Sequence, residues 1–366
     1  MLHELEIEGF RCFPALTAKP LGRVNLIVGK NNSGKTAFLD AVELAVWDGE
    51  TPPVFRSLFR RKEYSRKTYE ESPGKLLTQF ELYPANLFHA YRITGGAELS
   101  VRCELTKVVV RYERALKQGQ TVFFLDEERE GMARPVAEGP RTARLVAKPR
   151  LMDRWVSWNL ASDDSYRFST ANLDDNRSKS NQPVFFLPTE RPELHTMSKL
   201  WDEVQLTDDE ALIPAALRFL DPNVEKVGRR GEGENLHFVV RLKGDKELRR
   251  LGSLGDGMRH MLALALHLVP SQNGYLLIDE IDTGLHHSVM AKMWRMVIES
   301  ARRLNIQVFA TTHSIDCIHA LAEVHQHMNL TPDDVMLHRL EPDLAKTISY
   351  TPDEIVDAAK FHAEVR

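Results

Sequence analysis

The chain has 366 residues, with 48 Lys and Arg against 52 Asp and Glu, so its formal charge is −4. This length fits about two domains, or one large α/β domain with insertions, and such a chain buries a substantial core. A hydrophobic fraction of 43% with a charged fraction of 27% is typical of a globular enzyme, which excludes disordered, fibrous and membrane-embedded classes for the whole chain. The near-neutral balance also argues against coating of DNA by bulk charge.

Cysteine usage and the N-terminus predict a cytoplasmic protein. The three cysteines are far apart and include no CxxC pair, so they favour neither a zinc site nor a disulfide framework. Residues 1–8 alternate acidic and apolar side chains and lack the basic start and apolar core of a secretory signal. The longest apolar-rich stretch, 261–269, is far shorter than the roughly 20 residues of a membrane span. We therefore expect a soluble protein without membrane contact.

Residues 2–7 alternate in the manner of a strand, and a strand, a loop and a helix are predicted between residues 24 and 46. Residues 26–28 are a continuous apolar run of the kind found in a buried parallel strand, and residues 38–46 carry apolar side chains at helical spacing. The turn between them fits the pattern G-x-x-x-x-G-K-[ST] at every fixed position. Its members are Gly29, Lys30, Asn31, Asn32, Ser33, Gly34, Lys35 and Thr36.

This turn predicts a site for a nucleoside triphosphate. Its glycines let successive backbone N–H groups face a phosphate, and the start of the following helix adds positive potential. Lys35 is expected to reach the β- and γ-phosphates, and the Thr36 hydroxyl to ligate Mg²⁺. The alternative, a chance glycine-rich turn, does not account for the flanking strand and helix.

Residues 51–182 differ in character from the segments on either side. Strand-like segments at 76–82, 99–105, 108–112 and 121–125 are separated by glycines and charged turns, which predicts antiparallel hairpins. A polar loop is expected at 160–182. A basic cluster at 56–67 holds six basic residues and one acid. Either this cluster is a footprint for DNA or it is a solvated helix face, and the sequence leaves both interpretations open.

From residue 183 onwards the pattern alternates between strands and helices. Strands are predicted at 184–187, 275–278 and 307–310, helices at 201–220, 258–269 and 289–304, and a hairpin turn at 228–233. Such βαβ-type alternation predicts a sheet that also contains the strand of residues 24–28. Residues 320–366 add a strand-like segment at 335–340 and a polar helix near 352–359.

Two adjacent acids, Asp279 and Glu280, end the apolar run 275–278. A buried strand that ends beside the phosphate loop would deliver Asp279 to the magnesium shell. It would also place Glu280, as a general base, to polarise the attacking water. The alternative is an acidic strand end that faces solvent. Because both acids are present beside a phosphate loop, the pattern favours hydrolysis over binding alone.

Three further signals follow in a fixed order. Ser253, Gly255 and Gly257 are small residues at alternate positions before a helix and predict a second anion-binding nest. Asp282 comes just after the acids, and His313 follows the next buried strand, where it can contact a γ-phosphate. Taken singly, each also fits a helix cap, a tight turn or a strand-end histidine. Their order favours the functional interpretation.

The ordered set resembles the ABC-type ATPase head, in the branch that contains RecF, the SMC-like proteins and the OLD (overcoming lysogenisation defect) ATPases. Residues 7–13 are similar to that branch's F-[RK]-x-F start. The resemblance implies a P-loop α/β fold with a mixed β-sheet flanked by helices and a β-rich insertion. It places the ATPase head at 1–50 and 183–319, a variable insertion at 51–182 and a C-terminal strand–helix tail at 320–366.

The resemblance also assigns roles to the motifs. It makes the turn at 29–36 the Walker A loop, Asp279 and Glu280 the Walker B acids, Asp282 the D-loop acid, and His313 the switch histidine. The signature, with Ser253, departs from the transporter-like form, and no glutamine stands after residues 184–187 to serve as a Q-loop. The chain has neither heptads nor a CxxC hook, so the long arms of SMC-like proteins are not expected.

In this family two copies sandwich two nucleotides, each between the phosphate loop of one copy and the signature of the other. The resemblance thus implies an ATP-hydrolysing switch that works as a homodimer or higher homo-oligomer. The 47 residues after His319 are too few for a Toprim nuclease domain, so we expect a separate protein effector in trans, as in bacterial anti-phage systems. The alternative is a RecF-like repair or recombination ATPase that binds DNA through residues 56–67.

Overall fold

The structure is a computed structural model that describes residues 1–47, 53–72, 75–91, 97–104, 106–114, 143–147, 156–160, 166–169, 182–190 and 192–361. The helices are α1 Lys35–Ala45, α2 Pro53–Arg60, α3 Leu194–Val204, α4 Leu212–Arg218, α5 Asp256–Leu268, α6 His287–Arg303, α7 Ile315–Met328 and α8 Pro352–Lys360. The strands of the first half are β1 Leu5–Phe10, β2 Phe13–Ala18, β3 Val24–Val28, β4 Tyr64–Ser72, β5 Lys75–Leu82, β6 Glu98–Cys103, β7 Thr106–Arg114, β8 Ala143–Ala147, β9 Val156–Asn159 and β10 Tyr166–Ser169. Those of the second half are β11 Val184–Leu187, β12 Val224–Arg230, β13 His237–Leu242, β14 Arg249–Arg250, β15 Tyr275–Ile278, β16 Gln307–Thr311, β17 Val335–Arg339 and β18 Ile348–Tyr350.

The chain divides into two compact units. Unit 1 comprises residues 1–5, 16–39 and 181–366, and unit 2 comprises residues 6–15 and 40–180. The division of the chain into an ATPase head, an insertion and a tail stays a prediction. In the structure, the strand of the expected tail, β17, pairs with β3 in unit 1.

Unit 1 is built on a six-stranded sheet with the order β11-β15-β16-β3-β17-β18. The first five strands are parallel and β18 is antiparallel, so the sheet is mixed. Every residue of β3, β15 and β16 is buried, because helices cover both faces of such a sheet and continuous apolar runs satisfy both. The predicted fold class, a P-loop α/β head with a mixed sheet between helices and a β-rich insertion, is confirmed.

The register of this sheet brings three strand ends to one edge. Ile278 of β15 lies opposite Ala310 of β16, and Thr311 of β16 lies opposite Ile27 of β3. Because the strands are parallel, the turns that follow β3, β15 and β16 leave the sheet on the same side. The segments that carry the predicted phosphate loop, the paired acids and His313 are therefore neighbours.

The helices of unit 1 differ most from the sequence expectation in two places. The single helix expected at 201–220 is two helices, α3 and α4, because Leu206 has a left-handed φ of 65° and a 3-10 turn occupies residues 208–211. Helix α7 was not predicted. It begins after Ser314, whose hydroxyl accepts a hydrogen bond from Cys317 N at 3.2 Å and so caps the helix.

Unit 2 is rich in antiparallel strands. Its described strands form a six-stranded sheet, β2-β1-β6-β7-β8-β9, and a three-stranded sheet, β10-β5-β4. The strands expected at 76–82, 99–105 and 108–112 correspond to β5, β6 and β7, whereas the one at 121–125 lies outside the described residues. Within the expected polar loop, β10 pairs with β5 along four residues. Its alternating Tyr166 and Phe168 give it the period of a strand.

Among the residues that the structure describes, no helix is both long enough and apolar enough to cross a membrane.

Candidate functional site

The phosphate loop leaves β3 and ends at the first residue of α1, as the sequence pattern predicts. Three of its residues have left-handed or otherwise positive φ: Gly29 at 147°, Asn32 at 62° and Gly34 at 97°. A Cβ on Gly29 would lie 2.6 Å from Ser33 Oγ and 2.7 Å from the Leu340 carbonyl oxygen, so only glycine fits there. The loop is thus curled tightly enough to turn its amides towards one small volume.

Lys35 is folded back onto the loop that precedes it. Its Nζ donates hydrogen bonds to the carbonyl oxygens of Gly29 at 2.8 Å and Lys30 at 2.9 Å. The side chain is buried, and this burial lowers its pKa, while the carboxylates of Asp279 and Glu280 act in the opposite direction. An ammonium that donates to neutral carbonyls can exchange them for phosphate oxygens, which form stronger, charge-assisted bonds.

Two hydroxyl-bearing residues make the loop suited to a hard cation and a phosphate. Thr36 Oγ1 lies 3.2 Å and 3.1 Å from the two carboxylate oxygens of Asp279. Oxygen donors of this kind are the ligands Mg²⁺ prefers. Ser33 Oγ is buried and makes no hydrogen bond within the described part of the chain, which leaves a polar group for an incoming ligand to satisfy. Thr36 and Asp279 therefore fit a magnesium site.

Glu280 is held in a strained backbone conformation beside Asp279. Its φ of 55° is left-handed, which costs a non-glycine residue about 1–2 kcal/mol. Its carboxylate lies 3.4 Å from His313 Nε2, and the Thr283 hydroxyl lies 3.5 Å from the same carboxylate. Both His313 and Glu280 are partly exposed, at 40% and 37%. The side chain of Glu280 is therefore open to water, as a group that activates water must be.

The threonines that precede His313 link the turns of this edge. Thr311 Oγ1 lies 2.8 Å from Asp279 Oδ1 and accepts a hydrogen bond from Glu280 N at 2.8 Å. Thr312 Oγ1 donates to Asp282 Oδ1 at 2.5 Å. Both threonines are completely buried. The sequence analysis assigned only the histidine of this segment, although two hydroxyl residues in a row at a strand end were a visible signal.

The signature residues lie at the start of α5. Ser253 is exposed, and its hydroxyl donates to the Arg250 carbonyl at 2.7 Å. Gly255, with a φ of 96°, occupies the N-cap position of α5, which begins two residues earlier than predicted. A Cβ on Gly257 would lie 3.2 Å from the Gly284 carbonyl oxygen, so a small residue lets α5 approach the turn after Asp282.

His260, further along α5, was not predicted as part of the site. Its Nε2 lies 2.8 Å from the carbonyl oxygen of Ile281, the residue between Glu280 and Asp282. A carbonyl can only accept, so Nε2 carries the hydrogen. Burial lowers the pKa of His260, against the opposing effects of this hydrogen bond and of Asp282.

Nearly all the predicted site residues thus converge on the edge where β3, β15 and β16 end, whereas Ser253 lies exposed on the separate 3-10 turn before α5. A cavity of about 310 Å³ in unit 1 lies elsewhere, between α4, α5 and α6, and none of the predicted site residues lines it. We identify the site by its chemistry rather than by this cavity.

The basic cluster at 56–67 is largely neutralised by acids of unit 2. Arg60 lies 2.9 Å from Asp40 and 2.5 Å from Glu43, and Arg61 lies 2.9 Å from Asp40. Burial lowers the pKa of Arg60, because it disfavours the charged form. The carboxylates of Glu43 and Asp40 have the larger effect, so the pKa is raised overall. Because Asp40 and Glu43 are buried on α1, these arginines compensate charges of the fold itself.

Two further members of the cluster are also paired. Arg56 lies 3.7 Å from Glu43, and Lys67 lies 3.0 Å from Glu81 of β5. Four of the six basic residues therefore face carboxylates at distances of 4.0 Å or less. This arrangement leaves little of the cluster's charge for a nucleic acid.

Comparison with known proteins adds a family and several relatives. The family described as "AAA domain, putative AbiEii toxin, Type IV TA system" matches residues 24–316. A protein of Helicobacter pylori named "ATP/GTP phosphatase" is 21% identical over 346 residues, which cover 88% of each chain.

Two solved structures are also similar over nearly the whole chain. An Smc head bound to the C-winged helix domain of ScpA is 13% identical, with a TM-score of 0.48, and the match covers 96% of this chain and 97% of that one. An SMC head domain from Thermotoga maritima is 14% identical, with a TM-score of 0.41 and coverage of 96% and 98%.

Proposed function

Because the chain belongs to this AAA-domain family, whose match spans its phosphate loop, paired acids and His313, we propose that it binds and hydrolyses ATP in the presence of Mg²⁺. The observation that carries the proposal is the meeting of Thr36, Asp279 and Glu280 at one edge of the sheet. The name of the Helicobacter pylori relative supports nucleotide hydrolysis, with ATP or GTP as the substrate.

Each residue of the site has a distinct task in this proposal. The amides of residues 29–36 and Lys35 bind the phosphates, and Thr36 and Asp279 hold Mg²⁺. The metal supplies positive charge that offsets the charge of the phosphate oxygens. Glu280 accepts the proton of the attacking water, and His313, 3.4 Å from it, contacts the γ-phosphate and orients the Glu280 carboxylate.

The first experiment separates binding from turnover. Lys35→Ala should impair nucleotide binding, because it removes the cation that faces the phosphates. Glu280→Gln keeps the size of the side chain but removes the base, so it should bind ATP as the native protein does and release phosphate about 10²–10⁴-fold more slowly. Phosphate release and equilibrium binding of a fluorescent ATP analogue measure the two effects. If Glu280→Gln releases phosphate at the native rate, the assignment of the base is wrong.

A competition experiment identifies the nucleotide. Unlabelled ATP and GTP are titrated against the fluorescent analogue on Glu280→Gln, which holds the nucleotide without consuming it. We expect ATP to displace the analogue at lower concentration than GTP does. Equal displacement by ATP and GTP would contradict a preference for adenine and would indicate a general nucleoside triphosphatase.

We further propose that ATP makes two copies associate, with Ser253 of one copy at the γ-phosphate bound by the other. The exposure of Ser253 and Gly255 at the start of α5 supports this role, because a residue that acts in trans must be accessible to a second copy. ATP would then stabilise the pair and hydrolysis would release it, which is a two-state switch biased by a ligand.

The biological role we propose is that of a cytoplasmic sensor or scaffold in anti-phage defence. In this role the protein, like stand-alone ATPases of the OLD branch, controls a separate effector such as a Toprim nuclease. Purification of the native chain with the products of its neighbouring genes tests it. Recovery of no partner in either nucleotide state would contradict the role.

A further inference from the structure

Thr311 ends strand β16, which lies beside β15, the strand that carries the two acids. The side chain is completely buried. Its hydroxyl oxygen lies 2.8 Å from Asp279 Oδ1 and 2.8 Å from the backbone nitrogen of Glu280. One hydroxyl group therefore contacts two consecutive residues of the neighbouring strand.

The direction of both hydrogen bonds follows from their chemistry. A backbone N–H can only donate, so Thr311 Oγ1 accepts from Glu280. The hydroxyl proton is then directed at Asp279, whose carboxylate accepts it in a charge-assisted bond. A serine could make the same pair of bonds, whereas valine, which has the same shape, could make neither.

The backbone of Thr311 completes a clamp around Glu280. Its carbonyl oxygen accepts a hydrogen bond from Ile281 N at 3.0 Å. The amides on both sides of the Glu280 α-carbon are thus held by one residue of the adjacent strand. Because the φ of Glu280 is left-handed, a conformation that side chains disfavour, contacts at both amides are needed to maintain it.

Among the described residues, the two other threonines that contact these acids reach one acid each. Thr36 contacts the Asp279 carboxylate, and Thr283 lies 3.5 Å from the Glu280 carboxylate. Thr311 also has a stiff side chain, since branching at Cβ restricts χ1. Its hydroxyl is therefore a fixed reference point for the Asp279 carboxylate and for the backbone of Glu280.

We propose that Thr311 is the positioning residue of the hydrolytic site: its hydroxyl aligns Asp279 with Thr36 and fixes the direction in which Glu280 leaves the sheet. This inference rests on the proposed function, and it deepens it by adding a group that touches neither nucleotide nor water. Its role is geometric, so its loss should affect turnover far more than nucleotide affinity.

The test compares Thr311→Val with Thr311→Ser. Thr311→Val should lower kcat by about 10²-fold, as a small misplacement of reacting groups does, while the Kd of the fluorescent ATP analogue stays close to the native value. The Mg²⁺ concentration that gives half-maximal turnover should rise, because Asp279 loses a partner. Thr311→Ser should restore most of kcat. If Thr311→Val keeps the native kcat, or Thr311→Ser is as impaired as Thr311→Val, the proposal is overturned.

The matched control is Thr347→Val. It makes the same chemical change at another buried threonine of unit 1, whose hydroxyl lies 3.1 Å from Ser349 Oγ. We expect native kcat for this variant. A loss of kcat equal to that of Thr311→Val would show that removal of any buried hydroxyl suffices, and would contradict a specific role for Thr311. Should Thr311→Val not fold, Thr311→Ala removes the hydroxyl without placing a methyl group against the carboxylate.

A second measurement does not depend on hydrolysis. Amide hydrogen exchange of Glu280 should be faster in Thr311→Val than in the native protein, since its acceptor is gone, whereas exchange of Ile281 should change less. If the native protein hydrolyses no nucleoside triphosphate, the proposed function fails and this measurement still decides the inference. Unchanged exchange at Glu280 would overturn it.

Discussion

His267 and His338 are two imidazoles enclosed in the core of unit 1, on α5 and β17 respectively. His267 Nδ1 lies 2.7 Å from the Ala263 carbonyl oxygen, so that nitrogen carries a hydrogen. Burial lowers the pKa of His267 to about 4 and that of His338 to about 3. In the unfolded chain both would titrate near 6.5, the ordinary value.

The stability of the protein should therefore fall as the pH falls below the ordinary histidine pKa. Between pH 6.5 and about 4, His267 and His338 bind protons in the unfolded chain but stay neutral in the folded chain. Unfolding therefore becomes more favourable as the pH falls through this range. We expect the free energy of unfolding in urea to be lower at pH 5 than at pH 7. His267→Gln should reduce this difference, and His327→Gln, at an exposed position of α7, should not. An equal difference in all three proteins would contradict the role of buried imidazole.

Some of these single-residue roles could be predicted from the sequence and others could not. Gly29, Lys35 and Thr36 belong to one short sequence motif. The motif predicts their relative positions without knowledge of the rest of the fold. Thr311 acts through residues 31 and 32 positions away in the chain. In the sequence it is an ordinary strand residue, because β-branched side chains are common in strands. Only the register between β15 and β16 reveals its partners.

At the scale of elements, helix α1 changes the meaning of the basic segment that follows it. The sequence left open whether residues 56–67 bind DNA or face solvent. In the structure Asp40 and Glu43 of α1 form ion pairs with three arginines of this segment. The local pattern could not predict this, because the acids are separated from the arginines by up to 21 residues and belong to another helix.

We accordingly expect weak DNA binding with a shallow salt dependence. Contact of all six basic residues with phosphates would give a slope of about −5 for log K against log salt, since each neutralised phosphate contributes roughly −0.9. A cluster whose charges are already paired should give a much smaller slope. Fluorescence anisotropy of a labelled duplex over a range of salt concentrations measures it, with Arg66, an exposed member of the cluster, changed to Ala as the reference variant. A slope near −5 would contradict this expectation and favour the RecF-like alternative.

The elements of unit 1 are predicted best where a short, continuous apolar run has clear limits. Strand β11 and strand β15 have the predicted bounds, and helix α5 starts two residues earlier than expected. Helix α7 was missed because its sequence mixes apolar residues with acids and histidines. Its start depends on the cap by Ser314, a residue that the sequence analysis treated only as part of the His313 segment.

At the scale of the whole molecule, the proposed pair of copies predicts complementation between two inactive variants. Lys35→Ala damages the phosphate loop and Ser253→Ala damages the signature. In a mixed pair, one of the two sites combines the intact loop of one copy with the intact signature of the other. Random pairing should therefore return about a quarter of the native turnover when equal amounts are mixed. Phosphate release of each variant alone and of the mixture measures it.

The control for this experiment is a mixture of Lys35→Ala with Glu280→Gln. Lys35 and Glu280 lie at the same edge of one sheet, so each site of a mixed pair still lacks one of them. We expect no recovery in this mixture. Recovery of turnover in this control mixture would rule out a site shared between two copies. A lack of recovery when Lys35→Ala and Ser253→Ala are mixed would rule it out as well.

The position of β3 has a consequence for synthesis on the ribosome. This strand carries the phosphate loop and is made within the first 28 residues, yet its two neighbours are β16 and β17, at 307–311 and 335–339. Until residue 339 has emerged, β3 is a nascent apolar strand with unpaired edges, which invites aggregation. The proposed ability to retain nucleotide therefore arises only after residue 339 has been made. A chain terminated before residue 339 would lack this ability. It would also expose an unpaired apolar strand to the cell's chaperones.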